Sequence, residues 1–547
     1  MTYKDSYNYW LENTDADTVN ELKSIDDTEI YDRFYRDLEF GTGGLRGILG
    51  AGTNRMNIYT VRKATQGLAN ELLECGKSES DKGVVIAHDS RNMSREFAIE
   101  CTKVLAANGI KAYLFDSLRP TPELSFAVRH LKTARGIVIT ASHNPKEYNG
   151  YKVYGSDGGQ IPPTTADGIL KYIDEIDIFT EVKVAEPDYI EIGKELDDAY
   201  ITAIKEQSMQ VTIPDTFKVV YTPIHGSGNL LVRRILSEIG VKNVIVVSEQ
   251  EQPDGNFPTV NSPNPENKEA LDMAISLAEK NGADLVFGTD PDSDRIGVAV
   301  RTTDGEYVCL TGNQTGSLLC EFILRTMSVR NILPDNGAVI KTIVTTELVR
   351  KISENYGVKV IDVLTGFKYI GEQIKEFEAT NSNVFLFGLE ESYGYLKGTY
   401  ARDKDAVVAA MLICEMAADY AAKGMTLYDG LCKLYEKYGC AKEQLMTQTL
   451  YGEEGSVRIN EIMTELRNEP LKTIGNSRVV KALDYNEGID GLPKSNVLKY
   501  ILEDGWFAAR PSGTEPKIKF YYGFSGVDDK DVEAKLKAAK DQISKIS

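Results

Sequence analysis

At 547 residues the chain exceeds the ~250–300 at which one hydrophobic core stops growing, and its length points to three or four domains. A formal charge of −20 leaves nothing global to attract phosphate, which argues against nucleic-acid or acidic-membrane partners. Hydrophobic residues at 42% and charged residues at 26%, without an apolar run of ~18–20 residues or a secretory start, point to a soluble, cytoplasmic protein.

The first forty residues, rich in Tyr and Asp, read as a helical extension packed on the first domain. Short apolar strands then alternate with amphipathic segments. Gly83–Ala87 is followed by a helix over Arg95–Asn108, a strand over Lys111–Phe115, a helix over Thr121–Leu131 and a strand over Gly136–Thr140. The theme returns at Phe217–Tyr221, Val244–Val247, Leu285–Gly288, Ala338–Ile343, Val358–Leu364 and Val384–Gly388. Such alternation predicts three consecutive α/β domains with mixed, largely parallel sheets. The last hundred residues read as a smaller C-terminal α+β domain, with strands at Gly505–Arg510 and Lys517–Tyr522 and a helix over Asp528–Ile546. Candidate linkers at Gln207–Pro214, Asp304–Leu310 and Cys440–Gly455 divide the chain into 1–207, 208–308, 309–440 and 441–547. Cys75, Cys101, Cys309, Cys320, Cys414, Cys432 and Cys440 form no C-x-x-C pair, which fits reduced thiols.

Four polar loops carry the chemistry. In GIVITASHNP, a strand runs straight into Ser142-His143-Asn144-Pro145, and strand carboxyl ends are where open α/β sheets bind ligands. Ser142 reads as a nucleophile, a helix cap or a turn residue; G-x-S-x-G is absent, so no esterase elbow is present. In GTDPDSDR, Asp290, Asp292 and Asp294 alternate after a strand, an oxygen set suited to Mg²⁺ or Ca²⁺. A solvated acidic turn, or a phosphatase pair with Asp290 as nucleophile and Asp292 as acid, remains open, whereas an EF-hand fails because Arg295 and Arg301 replace its Gly and Glu. GLEESYGY sets Glu390 and Ser392 in a glycine-bounded loop able to pair with sugar hydroxyls, or to be a surface turn. RPSGTEPK crowds Arg510, Ser512, Gly513 and Thr514 into one turn, either a phosphate cradle or an ordinary proline-glycine turn. Gly41–Gly47 lacks P-loop spacing, and Arg402–Asp405 also reads as the charged first turn of an apolar helix.

Taken in order, TASHNP, GTDPDSDR, GLEESYGY and RPSGTEP resemble the phosphoserine, metal, sugar and phosphate loops of the α-D-phosphohexomutase superfamily, phosphoglucomutase branch. The resemblance spans nearly the whole chain and implies four domains around a central cleft. It implies that Ser142 carries the transferable phosphoryl group and that Asp290, Asp292 and Asp294 hold Mg²⁺ with it. Glu390 and Ser392 would grip sugar hydroxyls, and Arg510, Ser512, Gly513 and Thr514 the non-reacting phosphate. Arg46, His143, Lys152 and Lys404 match active-site cations and proton-transfer groups, with Lys404 and then His143 as the expected general base. Arg295, Thr365 and Gly366 match cleft-lining positions. The implied reaction interconverts glucose 1-phosphate and glucose 6-phosphate through glucose 1,6-bisphosphate, in a monomer or dimer. The family's common G-G-E or C-G-E reads Gly388-Leu389-Glu390 here, so pentose or mannose phosphates remain alternatives. A sugar-bisphosphate synthase and a sugar-phosphate-binding scaffold remain as well.

Overall fold

The computed structural model describes residues 2–41, 43–450, 452–489, 491–512 and 517–546. They form two compact units: Met1–Ala299 with Gly371–Ala379 and Leu396–Ala418, and Val300–Ile370 with Thr380–Tyr395 and Asp419–Ser547. No helix among the described residues is long and apolar enough to cross a membrane.

The first unit holds two α/β layers. Strands Gly44–Ile48 (β1), Val84–His88 (β2), Ala112–Phe115 (β3), Arg135–Ile139 (β4), Tyr148–Gly155 (β5) and Ile190–Ile192 (β6) make one sheet in the order β1-β5-β4-β2-β3-β6. After Arg135, β4 is apolar because both of its faces are covered. Ile137 and Ile139 join the core that helices Ile58–Glu74 and Ser94–Ala107 build. On the other face, Gly136 lets Val128 of helix Thr121–Leu131 approach within 2.6 Å of where a Cβ would stand. β2, β3 and β4 are mutually parallel, but β5 returns antiparallel to β4 and β1 runs antiparallel to β5. Thus Gly41–Gly47, read as a loop, enters an edge strand at Gly44. The expected helical extension is present as Tyr3–Asn13, Ala16–Lys23 and Asp27–Phe34, closed around Trp10, Leu22, Phe34 and Ala51. In the second layer, Lys218–Thr222 (β7), Asn243–Val246 (β8), Leu285–Thr289 (β9) and Ile296–Arg301 (β10) follow the order β10-β9-β7-β8, with β7 parallel to β8 and β9.

The second unit contains Tyr307–Leu310 (β11), so the stretch expected as a linker at Asp304–Leu310 ends in a strand. Gly337–Thr342 (β12), Lys359–Val363 (β13), Val384–Glu390 (β14) and Gly394–Leu396 (β15) form a sheet ordered β13-β12-β14-β15, parallel from β13 to β14. The terminal sheet contains Cys440–Thr449 (β16), Thr473–Ile474 (β17), Ser477–Asp484 (β18), Leu498–Leu502 (β19), Gly505–Pro511 (β20) and Lys517–Gly526 (β21). Its ladders are antiparallel. The linker expected at Cys440–Gly455 also carries regular structure. Its first ten residues all pair with β21, and helix Gly452–Asn468 follows; a mostly polar, half-exposed run disguised the strand. Ile343, Val344 and Leu364 share a core with Val497, Trp506 and Tyr521, which joins the two sheets of this unit. All seven cysteines are free, and Cys101, Cys320, Cys414 and Cys440 are buried.

Candidate active site

Beyond β4 the chain turns rather than coils. Ser142 sits in the left-handed region at φ 52°, a conformation that costs a non-glycine residue roughly 1 kcal/mol, and the turn feeds β5. No helix follows Ser142, so the helix-cap reading is overturned. Its amide donates to Thr140 Oγ1 at 2.8 Å, and that hydroxyl donates to Asp89 Oδ2 at 2.6 Å. The Ser142 hydroxyl, buried at 3% exposure, donates to Asp290 Oδ2 at 2.9 Å and lies 3.2 Å from His143 Nδ1. Burial, with Arg295 and Arg46 nearby, holds the imidazole well below its ordinary pKa, so His143 is a neutral base at pH 7. Arg46, on β1, donates to Asn144 Oδ1 at 3.2 Å.

The three aspartates converge in the loop between β9 and β10. They are buried, and one carboxylate oxygen from each lies within 4.8 Å of the others. Asp290 Oδ1 accepts from the amides of Asp294 and Arg295 at 3.1 and 3.0 Å. Asp292 Oδ2 accepts from Lys152 Nζ at 3.0 Å and Thr121 Oγ1 at 2.9 Å. Asp294 Oδ2 lies 2.9 Å from Lys404 Nζ. Burial and the charges of Asp292 and Asp294 push Asp290 well above the usual carboxylate range. Burial opposes ionisation of Asp292 too, but Lys152, the Asp290 hydrogen bond and Lys404 overcome it and hold Asp292 far below that range. Asp292 Oδ1 and Asp294 Oδ1 are buried without a hydrogen-bond partner, a costly arrangement that a hard cation would relieve. The donor set fits a divalent ion. It does not fit the phosphatase pair: both oxygens of Asp290 are engaged, and Asp292 is held ionised and cannot act as an acid.

Lys404 reaches this cluster from the turn before helix Ala406–Ala421. Its neighbour Asp403 is 3.2 Å from Lys404 Nζ and accepts from Tyr154 at 2.7 Å, while Asp405 accepts from the amides of Val407 and Val408. The segment is thus both a helix start and a contributor to the cluster. Arg295 pairs with Glu266.

Sequence reasoning missed two supports. Thr121 grips Asp292 through its hydroxyl and also donates its amide to the Asp292 carbonyl at 2.9 Å. In Thr222–Gly228, another polar stretch at a strand end, Ser227 donates both its amide and its hydroxyl to the Pro291 carbonyl at 2.8 Å. Ile224 and His225 in that stretch have φ of 45° and 60°, and a left-handed isoleucine persists only where its surroundings demand it. The strand-end position was the available signal.

The second unit carries the other expected residues. Glu390 ends β14, and its Oε1 accepts from Ser392 Oγ at 3.0 Å. Glu391 Oε2 accepts from Thr342 and Thr345 at 3.0 and 3.2 Å, which moors the turn to the end of β12. Leu389 is buried against Gly316, so the departure from the family's usual glycine points into the core. At Gly312, one turn earlier on the same helix, a Cβ would stand 2.1 Å from the Glu391 carbonyl. Thr365, whose Oγ1 is buried without a partner, and Gly366, at φ 117°, form the turn after β13. Arg510 lies on β20, with Nη1 3.5 Å from the Tyr521 hydroxyl, and the Ser512 amide donates to the Lys517 carbonyl at 2.7 Å. Gly513 and Thr514 lie outside the described residues.

Four family models match in succession. They describe phosphoglucomutase/phosphomannomutase α/β/α domains I, II and III, over residues 37–178, 198–305 and 311–438, and the C-terminal domain over 463–540. The chain belongs to the phosphoglucomutase/phosphomannomutase family. The family's architecture, three α/β/α domains and a C-terminal domain, accounts for the sheets described above. A phosphoglucomutase of Staphylococcus haemolyticus is 37% identical over 530 residues, covering 94% of this chain and 95% of that protein. One of Staphylococcus aureus (strain USA300) is 38% identical over 548 residues, 97% of each. The fold is shared with a phosphomannomutase-like protein of Thermus thermophilus, at TM-score 0.71 and 23% identity over 93% of this chain and 99% of that one. Paramecium parafusin shares it at TM-score 0.68 and 17% identity, covering 93% and 94%. The family makes the chain an enzyme, an isomerase that moves a phosphoryl group within its substrate.

Proposed function

We infer that the chain interconverts α-D-glucose 1-phosphate and glucose 6-phosphate, with glucose 1,6-bisphosphate as intermediate and activator. The observation that carries this reading is the Ser142 hydroxyl 2.9 Å from a buried triad of aspartates whose free oxygens fit a cation. The Staphylococcus relatives, named phosphoglucomutases, support the hexose. We take the cation as Mg²⁺, held by Asp290, Asp292, Asp294 and the phosphorylated Ser142; when bound it supplies a Lewis acid that offsets charge on the transferring phosphoryl group.

The chain's own groups do the rest. Phosphoserine gives its phosphoryl group to the free sugar hydroxyl: the bond from phosphorus to Ser142 Oγ breaks, one to the sugar oxygen forms, and the hydroxyl proton passes to a base. Lys404 is the first candidate for that base and neutral His143 the second. Lys152, Arg46 and Arg295 balance phosphoryl charge. Glu390 and Ser392 hold sugar hydroxyls, Thr365 and Gly366 line the sugar site, and Arg510, Ser512, Gly513 and Thr514 hold the idle phosphate. The bisphosphate then turns end for end, and its other phosphoryl group returns to Ser142. A cytoplasmic setting and domains at 1–207, 208–308, 309–440 and 441–547 complete the reading.

The test is turnover of glucose, mannose and ribose 1-phosphates with Mg²⁺ present and then chelated. Glucose 1-phosphate should lead by at least about tenfold, and a clear pentose preference would overturn the sugar. Glucose 1,6-bisphosphate should add one phosphoryl mass at Ser142, and Ser142→Ala should lose about 10⁴-fold in kcat at unchanged melting temperature. Full activity in Ser142→Ala would remove the nucleophile.

A further inference from the structure

The carbonyls of the Ser142 turn converge on one buried cation. Arg91, just beyond β2, donates from Nη2 to the carbonyls of Ser142 and Asn144, each at 2.5 Å. From Nη1 it donates to those of Pro145 and Tyr148 at 2.9 and 3.0 Å. The carbonyl of His143, at the tip of the turn, accepts from Ser262 Oγ at 2.8 Å. One guanidinium and one hydroxyl thus engage five carbonyls between residues 142 and 148. Arg91 is 3% exposed, with Asp89 Oδ2 3.3 Å from its Nε and the Phe257 ring 5.1 Å from the guanidinium carbon. Asp89 also accepts from Thr140, whose hydroxyl receives the Ser142 amide. Both arms of the turn are therefore tied to the same buried ion pair.

This geometry suits arginine alone. A planar fork reaches several acceptors in one plane, whereas lysine presents a single nitrogen. Carbonyl oxygens drawn onto a cation are also kept from facing the anion on the serine. Phosphoryl transfer is mostly positioning, and a displacement of ~1 Å can cost about 10²-fold in rate.

We propose that Arg91, with Ser262 as its counterpart, is the positioning residue of the phosphoryl-carrying turn: it holds the left-handed Ser142 so that Oγ faces the aspartate triad. The proposal rests on the phosphoserine reading above. Arg91 acts through the peptide backbone, not on the substrate.

The experiment compares Arg91→Ala, Arg91→Lys and Ser262→Ala in the full chain with Mg²⁺. It measures kcat and KM for glucose 1-phosphate, and the single-turnover rate of phosphoryl uptake from glucose 1,6-bisphosphate per folded molecule, by intact mass. Arg91→Ala should slow uptake and kcat by about 100-fold with KM within about threefold. Low millimolar guanidinium should return at least about tenfold of the loss, and ammonium should not. Arg91→Lys should behave like Arg91→Ala. Wild-type rates in Arg91→Lys, or uptake within threefold of wild type in Arg91→Ala, overturn the proposal. If neither variant folds, Ser262→Ala decides: about fivefold slower uptake at unchanged melting temperature supports it, and an unchanged rate sinks it. Absence of uptake in the wild-type chain would instead defeat the phosphoserine reading.

Discussion

The two units spend their polar groups differently. In the first, Ser142, the aspartate triad, Lys152 and Lys404 are packed so tightly that nearly every oxygen has a stated partner, and only Asp292 Oδ1 and Asp294 Oδ1 lack a hydrogen bond. In the second, Glu390 and Ser392 hold one another while the rest of the turn is moored from behind by Thr342, Thr345 and a glycine-faced helix. Chemistry demands preorganised charge and excludes slack, whereas recognition of a substrate that must bind both ways round tolerates a looser grip.

The strongest way to break this contrast is Asp292→Asn. It should cut kcat roughly 10³-fold, weaken Mg²⁺ binding by at least tenfold in a calorimetric titration, and lower the melting temperature because Lys152 loses its buried ionic partner. Activity within tenfold of the parent would show that the triad is not where the reaction happens.

Acid should strike the first unit hard. His88, at the end of β2, is held at about 4 by burial, below the ~6.5 of an unfolded chain. The unfolded state takes up more protons between those values, so stability is full above about pH 6.5 and falls as pH drops toward 4. The gap is worth about 3 kcal/mol, readable as a falling urea midpoint that His88→Gln makes shallower, with buried His143 leaving an acid-sensitive remainder.

A matched pair sharpens the comparison. Thr121→Val removes a donor to Asp292 and should lower kcat about tenfold with KM unchanged, while Ser392→Ala should raise KM about tenfold with kcat little altered. The reverse pattern would contradict the division of labour. The smallest effect belongs to Leu389→Ala. It should destabilise by ~2–5 kcal/mol, yet change the ratio of glucose to mannose turnover less than threefold, since the side chain faces the core.

Much of this is legible in the sequence, because strand-end loops rich in turn residues announce themselves locally. Asp290, Asp292 and Asp294 lie within five residues, and spacing alone suggested their convergence. What escaped depended on distance along the chain. Thr121 reads as an ordinary helix start until Asp292, 171 positions away, is seen against it. Arg91 reads as a charged residue after a strand, and nothing local says that its acceptors begin 51 positions later. β16 escaped for another reason. A strand that is mostly polar and half-buried or exposed beyond Ala441 resembles a linker when only apolar runs are counted.

Gly312 bears on any laboratory search for enzymes with a new sugar preference. Its missing side chain is what lets the helix and the Glu391 carbonyl meet, so even a methyl group there would lift the sugar turn bodily rather than reshape its grip. Useful diversity should therefore be confined to side chains of the turn that do not moor it, Ser392 first, while libraries spread along the helix beneath would return mostly inactive clones.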